Sequence, residues 1–171
     1  NWPVGNQPNW GTCPSAGLSG GEGFRLLSLP TTATSFNDLV SPLWTQGIGT
    51  GADVTDGSPN VWTWKTDTGN GDASNFTAVG DLATTPAEDG SGFLMFVFED
   101  DDGNAPGVQG GFPKNLATNK AFVSGSVSPT INTNNGGFTL LGNPYDNTID
   151  FDEVTISSGV NTIVQVYNPA I

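Results

Sequence analysis

The stretch EDDDGNAPG, residues 99–107, holds the densest set of oxygen ligands in the chain. Asp100, Asp102 and Asn104 stand at i, i+2 and i+4, the spacing of the first three ligands in a calcium loop. Adjacent carboxylates repel unless a cation or bulk water relieves them. The stretch therefore reads either as a weak calcium site or as a solvated acidic hairpin tip. It departs from an EF-hand further on, with Ala105 at the sixth position and Gly111 at the twelfth, where Gly and a bidentate Glu are expected. A second acidic group, Asp150, Asp152 and Glu153, reads as a helix start, with Asp150 as N-cap and Glu153 three residues on.

Trp62 and Trp64 alternate within NVWTWKT (60–66), so both indoles fall on one face of a strand. That face is either a platform for stacking sugars or the inner face of a sandwich. Phe24, Leu26, Leu140 and the apolar run at 93–98 all need partners, which favours the inner face. Catalysis has little to work with. Histidine is absent, which removes Ser-His-Asp triads, Cys-His dyads and His-based zinc sites. Cys13 is the only cysteine, so it has no internal disulfide mate, and it reads as an intermolecular bridge or a tolerated free thiol. Paired carboxylates suffice for glycoside hydrolysis, but 17 acids nominate no particular pair. The expectation is a protein that is not an enzyme.

The elements that must position these residues follow from composition. In 171 residues there are 24 Gly, 12 Pro and only four Lys plus Arg, the profile of short strands joined by many turns. Ten Phe, five Trp and two Tyr supply the burial that a disordered chain lacks. A net charge of −13 offers no surface for nucleic-acid phosphates and disfavours anionic membranes. No stretch approaches 18 apolar residues, so no membrane span is expected. The chain starts at Asn1 without Met, which fits a mature N-terminus left by signal removal.

GFRLLSLP at 23–30 returns as GFTLLGNP at 137–144, with five of eight positions identical and a displacement of 114 residues. SFNDL (35–39) returns as DFDEV (150–154), and NVWTWK has an alternating counterpart in NTIVQVYNP (161–169). Strand, short helix and strand are thus expected twice, the second time as an unfinished unit. TSFNDLVSPLW carries Phe36, Leu39, Val40 and Leu43 at helical spacing, which predicts one or two turns capped by Thr34 or Ser35 and limited by Pro42. GFLMFVF (92–98) is expected to be a strand buried on both faces. NFTAVGDL (75–82) and KAFVSGSVS (120–128) are further strand candidates. Residues 1–22 show no strand-length pattern and read as an arm, whose Trp2 and Trp10 need a docking place.

GFRLLSLP, LWTQG (43–47), GADVTDGSPNVWTW (51–64), GFLMFVFEDDDGNAPGVQGGFPK (92–114) and GFTLLGNPYDNTIDFDEV (137–154) resemble modules of large secreted surface proteins of Bacteroidota and their marine relatives. Many of those carry a C-terminal type IX sorting domain. The resemblance spans about residues 23 to 169 and implies an extracellular, β-rich, non-catalytic module. It rests on structural phrases, and this chain shows no sorting domain.

The resulting expectation is an all-β fold, a β-sandwich with Greek-key or jelly-roll-like connections and one or two short helices. Its parts are an arm (1–22) and a single sandwich at 23–171, made of one full repeat (about 23–130) and a partial one (about 137–171). The expected role is an extracellular structural module that joins its own copies in a bacterial surface fibre or layer. An unpaired sheet edge is a template for strand addition, with the arm as donor and Trp2, Trp10 and Cys13 at the interface. Two alternatives stay open: a carbohydrate-binding module that holds polysaccharide on Trp62 and Trp64, and a repeat of a monomeric adhesin. Calcium is the candidate ion, on Asp100, Asp102 and Asn104.

Overall fold

The computed structural model describes residues 15–28, 31–32, 35–64, 75–99, 111–117, 120–131, 137–161 and 163–164. In chain order the elements are β1 (Ser15–Leu18), β2 (Gly23–Leu27), a one-turn helix α1 (Asn37–Val40), β3 (Val61–Trp64), β4 (Phe76–Ala78), β5 (Phe93–Val97) and β6 (Lys114–Ala117). A 3-10 turn follows at Phe151–Glu153. The structure is β-rich with almost no helix. One antiparallel sheet has the order β2-β5-β3-β4, and β1 pairs with β6 in a second, two-stranded sheet. The larger sheet is open and does not close into a barrel.

β5 lies inside that sheet, between β2 and β3, and its alternation shows where the core sits. Phe93, Met95 and Val97 are buried, whereas Leu94 and Phe96 are only half-buried. The expectation of burial on both faces is therefore corrected. Side chains of a strand alternate between faces, and among the described residues the core covers one face of β5. The cover consists of Phe36, Leu39 and Val40 from the α1 segment, Leu43 and Ile48 beyond it, and Val79 and Leu82 after β4. Phe36 meets Phe93 edge-on with ring centroids 5.3 Å apart.

α1 forms where the apolar spacing places it, although its start differs from the expected cap. Phe36 occupies the N-cap position with no side-chain cap bond. Instead Asp38 Oδ2 accepts the Ser35 N–H at 3.3 Å, the reaching-back half of a capping box. Asp38 also pairs with Lys120 at 3.2 Å.

Other sequence expectations shift too. Ser15–Leu18, in the segment that reads as strandless, pairs antiparallel with Lys114–Ala117, and Leu18 packs on the core. Residues 120–128 form no strand and contribute one bridge, Phe122 to Thr31. Alternation makes a segment compatible with a strand, but pairing needs a free edge as well.

The echoed phrases also part company. GFRLL is β2, paired over its whole length with β5, whereas GFTLL makes one isolated bridge, Leu141 to Ser91. The Gly92 N–H donates to Leu140 O at 3.0 Å and the Phe96 N–H to Asn60 O at 2.9 Å. These two donors are four residues apart, so they point to the same edge of β5. That edge is already taken by β3, and the second phrase receives only its end. The phrases touch where their sixth positions meet: Ser28 Oγ donates to Asn143 O at 3.4 Å, beside Gly142. A Cβ at 142 would overlap the Ser28 side chain, so glycine permits the crossing.

Candidate functional site

The register of the four-stranded sheet places Trp62 and Trp64 away from the core. Val61 pairs with Met95 and Thr63 with Phe93, on the covered face. Trp62 pairs with Leu94 on one side and Ala78 on the other, Trp64 with Phe76, Phe24 with Phe96, and Leu26 with Leu94. Cross-strand partners share a face, so these eight residues line the outer side of the sheet. The expectation that the indoles form an inner, core face is corrected. Alternation puts both on one side, and packing of α1 and the 43–54 and 79–82 segments makes the other side the core.

This outer face is a continuous aromatic strip. Phe98 meets Phe96 at 4.9 Å, Phe96 meets Phe24 at 5.1 Å, and Phe24 meets Trp62 at 5.9 Å. Trp64 stacks edge-on to Phe76 at 5.0 Å. Phe24 is 57% exposed, and both tryptophans are half-buried. All eight positions carry aromatic or aliphatic side chains, and the indole N–H groups are their only polar atoms. Trp64 is held in place by its indole N–H, which donates to Phe138 O at 2.8 Å. The second echoed phrase thus steadies the end of the strip.

A cavity of about 180 Å³ opens beside Trp64, lined among others by Thr63, Glu88, Ser91, Thr130 and Leu140. Its polar groups already bind one another. Glu88 Oε1 accepts from the Thr130 N–H at 2.8 Å and hydroxyl at 2.7 Å, and Glu88 Oε2 accepts from Ser91 Oγ at 3.3 Å. Thr63 Oγ1 donates to Thr77 O at 3.4 Å. The carboxylate acts as a latch between segments.

Other acids do the same work. Asp53 Oδ2 accepts from the Thr45 N–H at 2.7 Å and hydroxyl at 2.8 Å. Asp81 Oδ1 accepts from the N–H groups of Ala83 and Thr84 at 2.8 and 2.9 Å. The Asp81 carboxyl is held below its ordinary value, chiefly by the Thr84 backbone N–H. Asp150 caps the 3-10 turn by accepting from Asp152 N, as its position implies.

Among the described residues, no three His, Cys, Asp or Glu side chains gather to hold a metal. The calcium candidates Asp100, Asp102 and Asn104 lie outside the described residues, as do the interface candidates Trp2, Trp10 and Cys13. Sequence reasoning names Trp62 and Trp64 but treats Phe24 and Phe96 as core and gives Phe76 no role. The available signal is in β5 itself, where Leu94, Phe96 and Phe98 match the apolarity of the alternate row. Comparison with protein families, with characterised proteins and with solved structures finds no match.

Proposed function

We propose that this chain is an extracellular, non-catalytic structural module that joins its neighbours in a bacterial surface fibre or layer. The observation that carries the reading is the outer sheet face, eight positions across four strands that are all aromatic or aliphatic. Such a surface is suited to face a second layer of protein. On this reading the β-sandwich, with its Greek-key or jelly-roll-like connections, is completed by contact between modules. Among the described residues β2 ends the sheet order with no strand on its outer edge, and such an edge offers a place for strand addition. Within the 1–22 segment Ser15–Leu18 pairs inside its own chain, so the proposed donor is the part that precedes it, with Trp2, Trp10 and Cys13 at the contact and calcium on Asp100, Asp102 and Asn104 as an accessory ion.

A second reading has its own support. Trp62 and Trp64 stand on an accessible face beside Phe24, as a polysaccharide platform requires. Sugar sites also need well-placed hydrogen-bonding groups among the rings, and the eight described positions of this strip offer only indole N–H groups, of which that of Trp64 is already taken by Phe138 O.

Sedimentation velocity and electron microscopy of the wild-type chain and of Phe24→Glu separate the two. Assembly predicts polymers for the wild type and small particles for the variant. A wild type that stays monomeric at high concentration yet binds polysaccharide through Trp62 would replace this reading with the second.

A further inference from the structure

The cavity beside Trp64 has an apolar part, with Phe93 and Leu140 in its lining, and a polar part made by Thr63, Glu88, Ser91 and Thr130. Where the protons of the polar part go decides what it can hold. The lining side chains include four donors, and each is engaged. The Thr130 hydroxyl donates to Glu88 Oε1 at 2.7 Å and Ser91 Oγ to Glu88 Oε2 at 3.3 Å. Thr63 Oγ1 donates to Thr77 O at 3.4 Å, and the Trp64 indole N–H to Phe138 O at 2.8 Å. An ionised carboxylate and a backbone carbonyl hold no proton, so the direction of each bond is fixed. The side chains therefore offer only lone pairs. Three hydroxyl oxygens keep theirs, and the Glu88 carboxylate accepts three bonds where about four are possible.

A ligand matched to these side chains must donate and has no need to accept. An ammonium group has three donors and no acceptor. Its charge also meets a carboxylate without a cationic partner among the described residues. The described cations are engaged elsewhere: Arg25 with Gly21 O and Phe24 O, Lys114 with Glu99 O, and Lys120 with Asp38. We propose that this cavity binds a primary ammonium group on a short aliphatic stem. The head lies at Glu88 and the Ser91 and Thr130 hydroxyl oxygens, and the stem lies against Trp64 and Leu140.

Two further properties favour a cation. An indole ring attracts positive charge to its face, and a net charge of −13 raises the local concentration of cations. A sugar is matched less well, because each hydroxyl that donates also brings lone pairs that find no side-chain donor here. Glu88 is exposed, so its ion pair contributes little in water, and a small amine should bind with a dissociation constant on the order of 1–10 mM. The site does not depend on assembly.

Nuclear magnetic resonance of the isotope-labelled wild type tests it, by titration with n-butylammonium chloride, n-butanol and glucose at matched ionic strength. The Trp64 indole N–H signal, identified by its loss in Trp64→Phe, reports on the cavity. Butylammonium should shift it saturably in the millimolar range, and butanol and glucose should not. Glu88→Gln keeps the side chain's size and removes its charge; with a wild-type circular dichroism spectrum it should bind the amine about 3- to 5-fold more weakly. Nα-acetyl-lysine methylamide separates two sources of the same group. Binding equal to that of butylammonium assigns the site to free amines, and tighter binding assigns it to a lysine side chain presented by another protein. Butanol or glucose saturating at the same concentrations as the amine overturns the proposal, as does a folded Glu88→Gln that binds it unchanged. The comparison of amine with alcohol in the wild type decides the matter even where Glu88→Gln fails to fold.

Discussion

Asn60 offers the sharpest test of how the 44–60 loop is fastened to the sheet. Its side chain is 1% exposed and makes three bonds to backbone groups. Nδ2 donates to Trp44 O at 2.9 Å and Phe96 O at 3.1 Å, and Oδ1 accepts from the Gln46 N–H at 3.0 Å. Asn60→Ala removes all three and leaves two carbonyls and an amide without these partners where water has little access. Each lost bond is worth about 1 kcal/mol net, and a stranded buried group costs about 1–3 kcal/mol. The expected destabilisation is about 3–5 kcal/mol. Asn60→Asp keeps the shape but aims a carboxylate oxygen at two carbonyls, so near neutral pH it should cost at least as much. The Gln46 N–H still serves one oxygen, but burial and the two carbonyls facing the other raise that carboxyl's pKa. The Asp variant should therefore regain part of its stability as pH falls through the raised value, when the protonated acid can donate. Urea unfolding followed by fluorescence and circular dichroism measures both. A loss of under about 1 kcal/mol for Asn60→Ala, at unchanged denaturant slope, would refute the accounting.

Met95→Ala, at a fully buried core position, should cost about 2–5 kcal/mol, whereas Trp64→Ala on the outer face should cost less, and a Trp64 loss equal to that of Met95 would contradict the assigned faces. Gly47 has φ +69°, and a Cβ there runs into the backbone of Ser58 and Pro59; Gly47→Ala should lower stability by more than about 2 kcal/mol, measured by thermal unfolding. The lowered Asp81 pKa contributes stability that is present above the ordinary carboxylate range and lost as pH falls through the depressed value. Asp81→Asn should accordingly flatten the acid limb of the stability–pH curve, and an unchanged limb would count against its role. Millimolar calcium should raise the unfolding midpoint of the wild type, because a ligand of the folded state stabilises it; Asp100→Asn with Asp102→Asn should abolish the shift, and a midpoint indifferent to chelator would dismiss the site.

Period and local chemistry are properties of neighbouring residues, and the sequence by itself determined what depends on them. The alternation of 61–64 puts Trp62 and Trp64 on one side of a strand, the spacing of Phe36, Leu39 and Val40 makes a turn of helix, and Asp150 caps the turn that follows it. Alternation cannot say which side is covered. In β3 and β5 both sides are apolar enough to be core, so the choice fell to the segments that pack there. Tertiary structure alone decided that Phe93, Met95 and Val97 are buried and that Leu94, Phe96 and the tryptophans line an accessible strip. The partners are 36 to 82 on one side, brought together by chain reversals that no local period encodes. The same limit explains the repeat. GFRLL and GFTLL share a pattern, but a strand also needs an edge with unpaired N–H and C=O groups along its length. β2 has the length of β5 to itself, and the later phrase meets an edge that β3 already occupies. Closely similar phrases therefore take different structures, because pairing depends on what has already been placed beside them.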